Sequence, residues 1–418
     1  MVIARRHVFY VPGYDPQGAE GYYGIFERTA KRSLKVWPIT LDLGKLELDS
    51  DLLAHWTIET SGSNWRVSTR YEFLRLEGAV RTNMSQPIWR LVPRALHWLV
   101  DDLLSGTTFR IFRAAWRFAV HLLYFQLMML LWIAAAAGGG ALVGTLATRF
   151  AGAPISIGII VAVVTAVALF VLLRPVADRL HVVQINDCWP HMREFARGAP
   201  SSLNHPIDLF ADRIVAAARA NEADEILVIG HSGGGICAVA VMARALELDP
   251  SLGRHRAPVV LLTLGSIMPA AALHPAAEPL RAMVKRIAIE PSILWIDVRS
   301  RKDALNFWDF DPVQGIGIQV GESRRNPLLW DVRFRDMISP EPYRRMRTNF
   351  FRLHYQFIMA NDKQAPYDYL MLTCGPIAVE AWATHRWDVL ESFFKDGTYA
   401  APQASERSDE IPSTIDRR

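Results

Sequence analysis

Residues 225–248 read EILVIGHSGGGICAVAVMARALEL. Five residues with strand character, 225–229, run into Gly230-His231-Ser232-Gly233-Gly234, and a helical stretch, 234–248, follows without a linker. A serine between strand and helix, flanked by glycines two positions before and two after, is the pattern of a nucleophile elbow, G-x-S-x-G. The spacing has a steric origin. The serine occupies a strained turn, and the flanking glycines let strand and helix approach, so its hydroxyl stands clear of the sheet edge. The competing reading is a glycine-rich turn that holds phosphate at a helix N-terminus. No Walker lysine follows and no G-x-G-x-x-G occurs, which leaves that reading weak.

Outward from the elbow, the pattern alternates. Residues 7–11, 34–41, 66–74, 259–264, 293–298 and 328–334 read as strands, and 20–32, 207–221, 279–287 and 342–359 as helices. Strands separated by helices of this length predict an α/β fold with a mainly parallel sheet covered on both faces. The last residues, 400–418, are polar and without apolar period, and are expected to form a disordered tail.

In this context the elbow resembles that of the α/β-hydrolase superfamily, in particular its lipase- and esterase-like members. The resemblance implies a triad in chain order serine, acid, histidine, with no metal or organic cofactor. Four histidines follow Ser232: His255, His274, His354 and His385. The first two precede the candidate acids. His354 lies past the last expected strand, where the resemblance places the base, and His385 is the alternative. For the acid, Asp303 follows the 293–298 strand by a few residues, as in triglyceride lipases, and TLGS at 263–266 looks like a turn of that group. Asp309 and Asp311 are runners-up, whereas Asp297 lies inside the strand and reads as structural. One oxyanion donor is expected from the N–H of Gly233. The other is expected from Val11-Pro12-Gly13-Tyr14-Asp15, which resembles the superfamily's His-Gly loop with Pro in place of His; there Gly13 allows close approach and Tyr14 N–H donates. His231 is expected to support the turn or line the pocket, without a catalytic role, and Cys237 to pack in the core.

Charge is unevenly distributed. Between 118 and 173 the only Asp, Glu, Lys or Arg is Arg149, which accounts for a mean hydropathy of +0.11 in a chain that is 21% charged. Two arms, 118–144 and 154–173, each approach the ~20 residues that cross a bilayer as helix. Arg110, Arg113, Arg117, Arg174 and Arg179 flank them, so the positive-inside rule predicts two crossings with both termini and the globular part in the cytoplasm. Residues 88–104 have helical apolar spacing and are expected to form either an interfacial helix or a lid. A net charge of +4 without a concentrated basic face argues against nucleic acid as a partner, and three scattered cysteines against a disulfide framework or zinc site.

The expected organisation is therefore a hydrolase domain in two parts, 1–87 and 181–399, an inserted membrane segment at 88–180, and the tail. The expected activity is hydrolysis of lipidic or acyl esters or thioesters through an acyl-enzyme, with the bilayer as partner through 118–173. An acyltransferase on the same triad and an inactive membrane-bound scaffold are the alternatives.

Overall fold

The computed structural model describes residues 2–400; most of the expected tail, from 401 on, lies outside that range. The strands are β1 (Arg5–Val11), β2 (Thr40–Leu43), β3 (Glu47–Leu48), β4 (Leu53–Ser61), β5 (Arg66–Leu74), β6 (Glu225–His231), β7 (Val259–Leu264), β8 (Ile293–Arg299) and β9 (Leu328–Asp331). They form one sheet in the order β2-β4-β5-β1-β6-β7-β8-β9, with β3 also on β4. From β5 to β9 every pairing is parallel, while β2, β3 and β5 pair with β4 antiparallel. The sheet is thus mixed, not mainly parallel as expected. The reason is local: only 62–65 separate β4 from β5, and so short a link permits a hairpin but no crossover. The turn closes with Gly62 N–H donating to Trp65 O at 3.1 Å.

Helices are α1 (Gly18–Ser33), α2 (Glu77–Met84), α3 (Ile88–Leu104), α4 (Thr107–Ala114), α5 (Trp116–Phe150), α6 (Ile155–Arg179), α7 (Val182–Ala196), α8 (Asn204–Ala220), α9 (Gly234–Leu248), α10 (Met268–Ala272), α11 (Glu278–Ile289), α12 (Phe334–Met337), α13 (Pro340–Met346) and α14 (Phe350–His354). Both faces of the sheet are covered. Phe9, Val228 and Leu261 face a core shared with α7, α8, α9 and α11. Their neighbours in sequence, Tyr10, Leu227 and Leu262, face a second core shared with α1 and the segment after β9. Burial on both sides explains why β6 is apolar without alternation.

Two expected elements differ. The strand expected over 34–41 begins only at Thr40, as β2. Lys35, Val36 and Trp37 N–H groups donate back to Arg32 and Ser33, the Trp37 indole is buried on Asp368 Oδ2 at 3.1 Å, and Pro38 then interrupts the chain. The helix expected over 342–359 is broken. Asn349 starts a new helix by accepting from Arg352 N–H at 3.0 Å, as an N-cap does.

α5 and α6 are long and apolar enough to cross a membrane. They pack on each other through small residues. A Cβ on Gly140 would meet Ala166 Cβ at 2.7 Å, and one on Gly144 would meet Ala162 Cβ at 2.7 Å. Trp132 also stacks flat on Phe170 with ring centroids 4.1 Å apart. This close approach is that of small-residue helix pairs, and it gives the Gly138–Gly140 run a role. The base of α5 belongs to the globular part, where Phe118 and Leu122 pack with Trp189 and Phe307.

Candidate active site

Ser232 sits directly after β6 with φ +57°, a left-handed conformation costly for a non-glycine residue. Its N–H donates to Leu264 O of β7 at 3.0 Å, and its carbonyl accepts from Gly235 N–H at 3.0 Å as α9 begins. The flanking glycines are required by contact. A Cβ on Gly230 would lie 2.6 Å from Ala238 Cβ and Gly234 O; one on Gly234 would lie 2.2 Å from Val11 O. No side chain fits at either position while β1, β6 and α9 keep this spacing.

His354 ends α14 and is buried. Its Nδ1 is 2.7 Å from Asp303 Oδ2. Asp303, also buried, is held by Leu305 N–H on Oδ1 at 2.9 Å, and its own N–H closes the turn after β8 on Ser300 O at 3.2 Å. Nε2 of His354 is buried with no hydrogen-bond partner, and His354 lines the same cavity as Ser232. Room for the imidazole comes from Gly265 (φ +52°) in the 263–266 turn: a Cβ there would lie 3.1 Å from His354 Cε1 and 2.6 Å from Phe357.

The other candidates lie elsewhere. Asp309 and His385 are exposed. Asp311 caps a turn, accepting from Val313 and Gln314 N–H, and pairs with Arg324 at 2.6 Å. Asp297 is buried under Thr263, whose hydroxyl donates to it at 2.5 Å, and burial raises its carboxyl to about 6. His255 pairs with Asp249 at 2.9 Å. His274 pairs with Asp101 at 3.0 Å. The three cysteines are free and buried, and burial lifts the Cys237 thiol to about 12, so it is no nucleophile at neutral pH.

The loop after β1 lies against the elbow. A Cβ on Gly13 would be 3.6 Å from both Gly233 N and Ser232 Cβ, and one on Gly233 would be 3.7 Å from Tyr14 N. The two backbone N–H groups expected to act as oxyanion donors therefore flank the serine together. α7, which the sequence reading did not identify, holds this loop: Tyr14 Oη donates to Asp187 Oδ2 at 2.5 Å, and Gln184 Nε2 donates to Tyr14 O at 3.0 Å. His231 has a clearer role than turn support. It is buried, its Nε2 is 3.2 Å from His354 O, and its ring lies 4.7 Å from the His354 ring. Burial and the neighbouring His354 hold its pKa well below the ordinary histidine range, so it is neutral and positions the α14 end by donating to that carbonyl.

Ser232, His354, Gly13, Tyr14 and Gly233 open on a cavity of about 620 Å³. Its remaining wall includes Phe118, His121 and Leu122 from the base of α5, and Ile185 and Trp189 from α7. It lies at the carboxyl ends of the parallel strands, the usual place for a site in such sheets. Residues 88–104 form α3 as expected, yet among the described residues none of α3 lines the cavity, so α3 is not its lid. Instead Leu91, Ala95 and Trp98 are buried, Asp102 pairs with the buried Arg193 of α7 at 3.0 Å, and Asp101 pairs with Arg197 at 2.5 Å.

One cluster has metal-ligand spacing: Asp101, Asp102 and His274. It does not suit a cation. Arg193 and Arg197 already supply the positive charge, Trp189 Nε1 donates to Asp102 at 2.6 Å, and His274 Nδ1 accepts from Ala276 N–H at 3.0 Å. Burial and those two guanidiniums hold His274 down to about 4, so its Nε2 carries the proton that it donates to Asp101.

Comparison of this chain with family models, with curated proteins and with solved structures finds no match.

Proposed function

We propose that the chain is a membrane-anchored serine hydrolase of the α/β-hydrolase type, cleaving lipidic or acyl esters or thioesters. The observation that carries this reading is the buried 2.7 Å contact between His354 Nδ1 and Asp303, with Nε2 of the imidazole left unpartnered and His354 and Ser232 lining one cavity. In the mechanism, Ser232 Oγ attacks the acyl carbon and passes its proton to His354 Nε2 as substrate brings the two into hydrogen-bond reach. Gly233 and Tyr14 N–H groups hold the oxyanion, and Asp303 stabilises the imidazolium. The C–O or C–S bond breaks, and the alcohol or thiol leaves with the proton from His354. Water, deprotonated by the same nitrogen, then attacks the acyl-serine; the carboxylic acid leaves and the proton returns to Ser232.

The membrane assignment has separate support. Ile160, Val164 and Leu172 of α6, and Leu131 and Leu142 of α5, are exposed, a larger apolar surface than a soluble monomer presents to water. The bilayer covers it, through 118–173. The flanking arginines favour a cytoplasmic globular part with both termini on that side. Arg110, Arg117 and Arg174 also brace the helices by donating to Leu273 O, Arg301 O and Met84 O. Trp89, Leu103, Leu104 and Phe109 project from α3 and α4, which suits these helices to the headgroup layer.

A fluorophosphonate probe tests the hydrolase reading on the full chain in detergent or vesicles. Wild type labels, and Ser232→Ala loses labelling and about 10⁶-fold in ester turnover at unchanged Tm. An unlabelled, folded wild type would establish the scaffold alternative instead.

A further inference from the structure

The cavity wall is uneven in charge. α5 and α7 contribute the apolar Phe118, Leu122, Ile185 and Trp189, beside His121 and Gln184. α1 and the 349–359 segment contribute Arg28, Asn349 and Arg352, beside Ile25, Phe351 and Met359. Neither arginine is within 4 Å of a carboxylate among the described residues. Arg352 is half-buried, and its Nη1 donates to Gln356 Oε1 at 3.1 Å. Gln356 is fully buried and itself fixed by donating to Ala360 O at 3.1 Å, so the guanidinium is presented on a rigid support. Asp362, whose charge acts on it through space, is engaged by Arg32 at 3.1 Å. Burial and then Arg32 lower the Arg352 pKa, and the charge of Asp362 offsets this only in part, as for a half-buried cation with no carboxylate in direct contact. The one acid in the wall, Asp15, is saturated: it accepts from Gln17 N–H and Nε2 and from the Tyr355 hydroxyl.

We infer that this site takes acyl esters whose alcohol part is anionic: the acyl chain lies along α5 and α7, and a phosphate on the alcohol is bound by Arg28 and Arg352. This rests on the hydrolase reading above and names its substrate class. The planar, multidentate guanidinium of Arg352 on its preformed support, with the exposed Arg28 in the same wall, suits a phosphate better than a neutral hydroxyl would, and the apolar part of the wall begins at the base of α5, where a chain leaving the bilayer would enter.

The experiment uses the full-length protein with a matched pair of substrates, 1-oleoylglycerol and 1-oleoylglycerol 3-phosphate, beside fluorophosphonate labelling. Wild type is expected to favour the phosphate ester in kcat/KM. Arg28→Gln with Arg352→Gln is expected to lower the ratio of the two kcat/KM values by about 10- to 100-fold, the size of lost charged hydrogen bonds. Arg352→Glu should lower it further and Arg352→Lys restore part of it. Labelling of each variant shows that it is folded with a competent serine. A wild type that labels and cleaves the neutral ester at least as well as the phosphate ester, or a ratio unmoved by the double substitution, overturns the substrate inference and leaves the hydrolase reading standing. A wild type that neither labels nor cleaves either ester overturns that reading itself.

Discussion

The β6–α9 unit and helix α6 are both long apolar stretches, and the fold treats them in opposite ways. Val228 of β6 is 0% exposed, while Val164 of α6 is 61% exposed. Around the elbow the protein supplies the covering itself, with helices on both faces of the sheet. Around α6 it supplies α5 along one side, and α3 and α7 only at the C-terminal end. Hydropathy says that a surface needs covering; it does not say by what. The glycines repeat the lesson. Gly234 lets a helix approach the end of a strand so that a serine is exposed, and Gly144 lets a helix approach a helix so that nothing is exposed between them.

Substitutions can break or sharpen this contrast. Val228→Asp places an unpaired charge in the core shared with α7, α8, α9 and α11 and is expected to abolish folding, a loss above about 5 kcal/mol, seen as absent soluble expression or a missing thermal transition. Normal folding of that variant would mean that this face of the sheet is not buried. Within the elbow region, Asp303→Asn keeps shape and removes charge. Turnover should fall about 10⁴-fold at unchanged Tm; a small effect would remove Asp303 from the triad. Val164→Asp should leave the melting of the globular part intact and weaken membrane retention by about 3 kcal/mol, read by carbonate extraction. Equal damage to both would show that α6 is a core helix after all.

The smallest effect concerns Asp297. Burial raises its carboxyl to about 6 in the folded protein, above the ordinary 3.8. The folded state therefore binds this proton more tightly than the unfolded chain does. The resulting stability is complete below pH 3.8 and is lost as pH rises through about 6. Asp297→Asn, which can still accept from Thr263, is expected to match wild type in Tm near pH 4 and exceed it at pH 7. An equal Tm at both pH values would show that the carboxylate is accommodated in its charged form.

Much of the candidate site was legible because it is local. Gly230, Ser232 and Gly234 lie within five residues, and their steric logic needs only the strand and helix that flank them. Asp303 and His354 were chosen from position relative to strands, and the structure brings these two together while leaving Asp309, Asp311 and His385 outside. Other features were less visible. β4 went unseen although Ala54, Trp56, Ile58 and Thr60 alternate with less buried residues, a period-2 signal that was present in the chain. α7 was hidden by Pro190 and by its place directly after α6. The break at Asn349 was marked by an N-capping residue inside an otherwise helical stretch.

What the sequence determined by itself is what depends on neighbours along the chain: the elbow, the two long apolar helices and the flanking arginines. The tertiary structure alone decided what depends on neighbours in space. It set the antiparallel edge on the sheet, the placement of α3 on α7 and not over the cavity, and the support of His354 by His231. It also set the grip of α7 on Tyr14, and the gathering of Arg28 and Arg352 in one wall. These arrangements gather residues as far apart in the chain as Arg28 and Arg352, and no local period or spacing carries such a distance; only packing against a common sheet does.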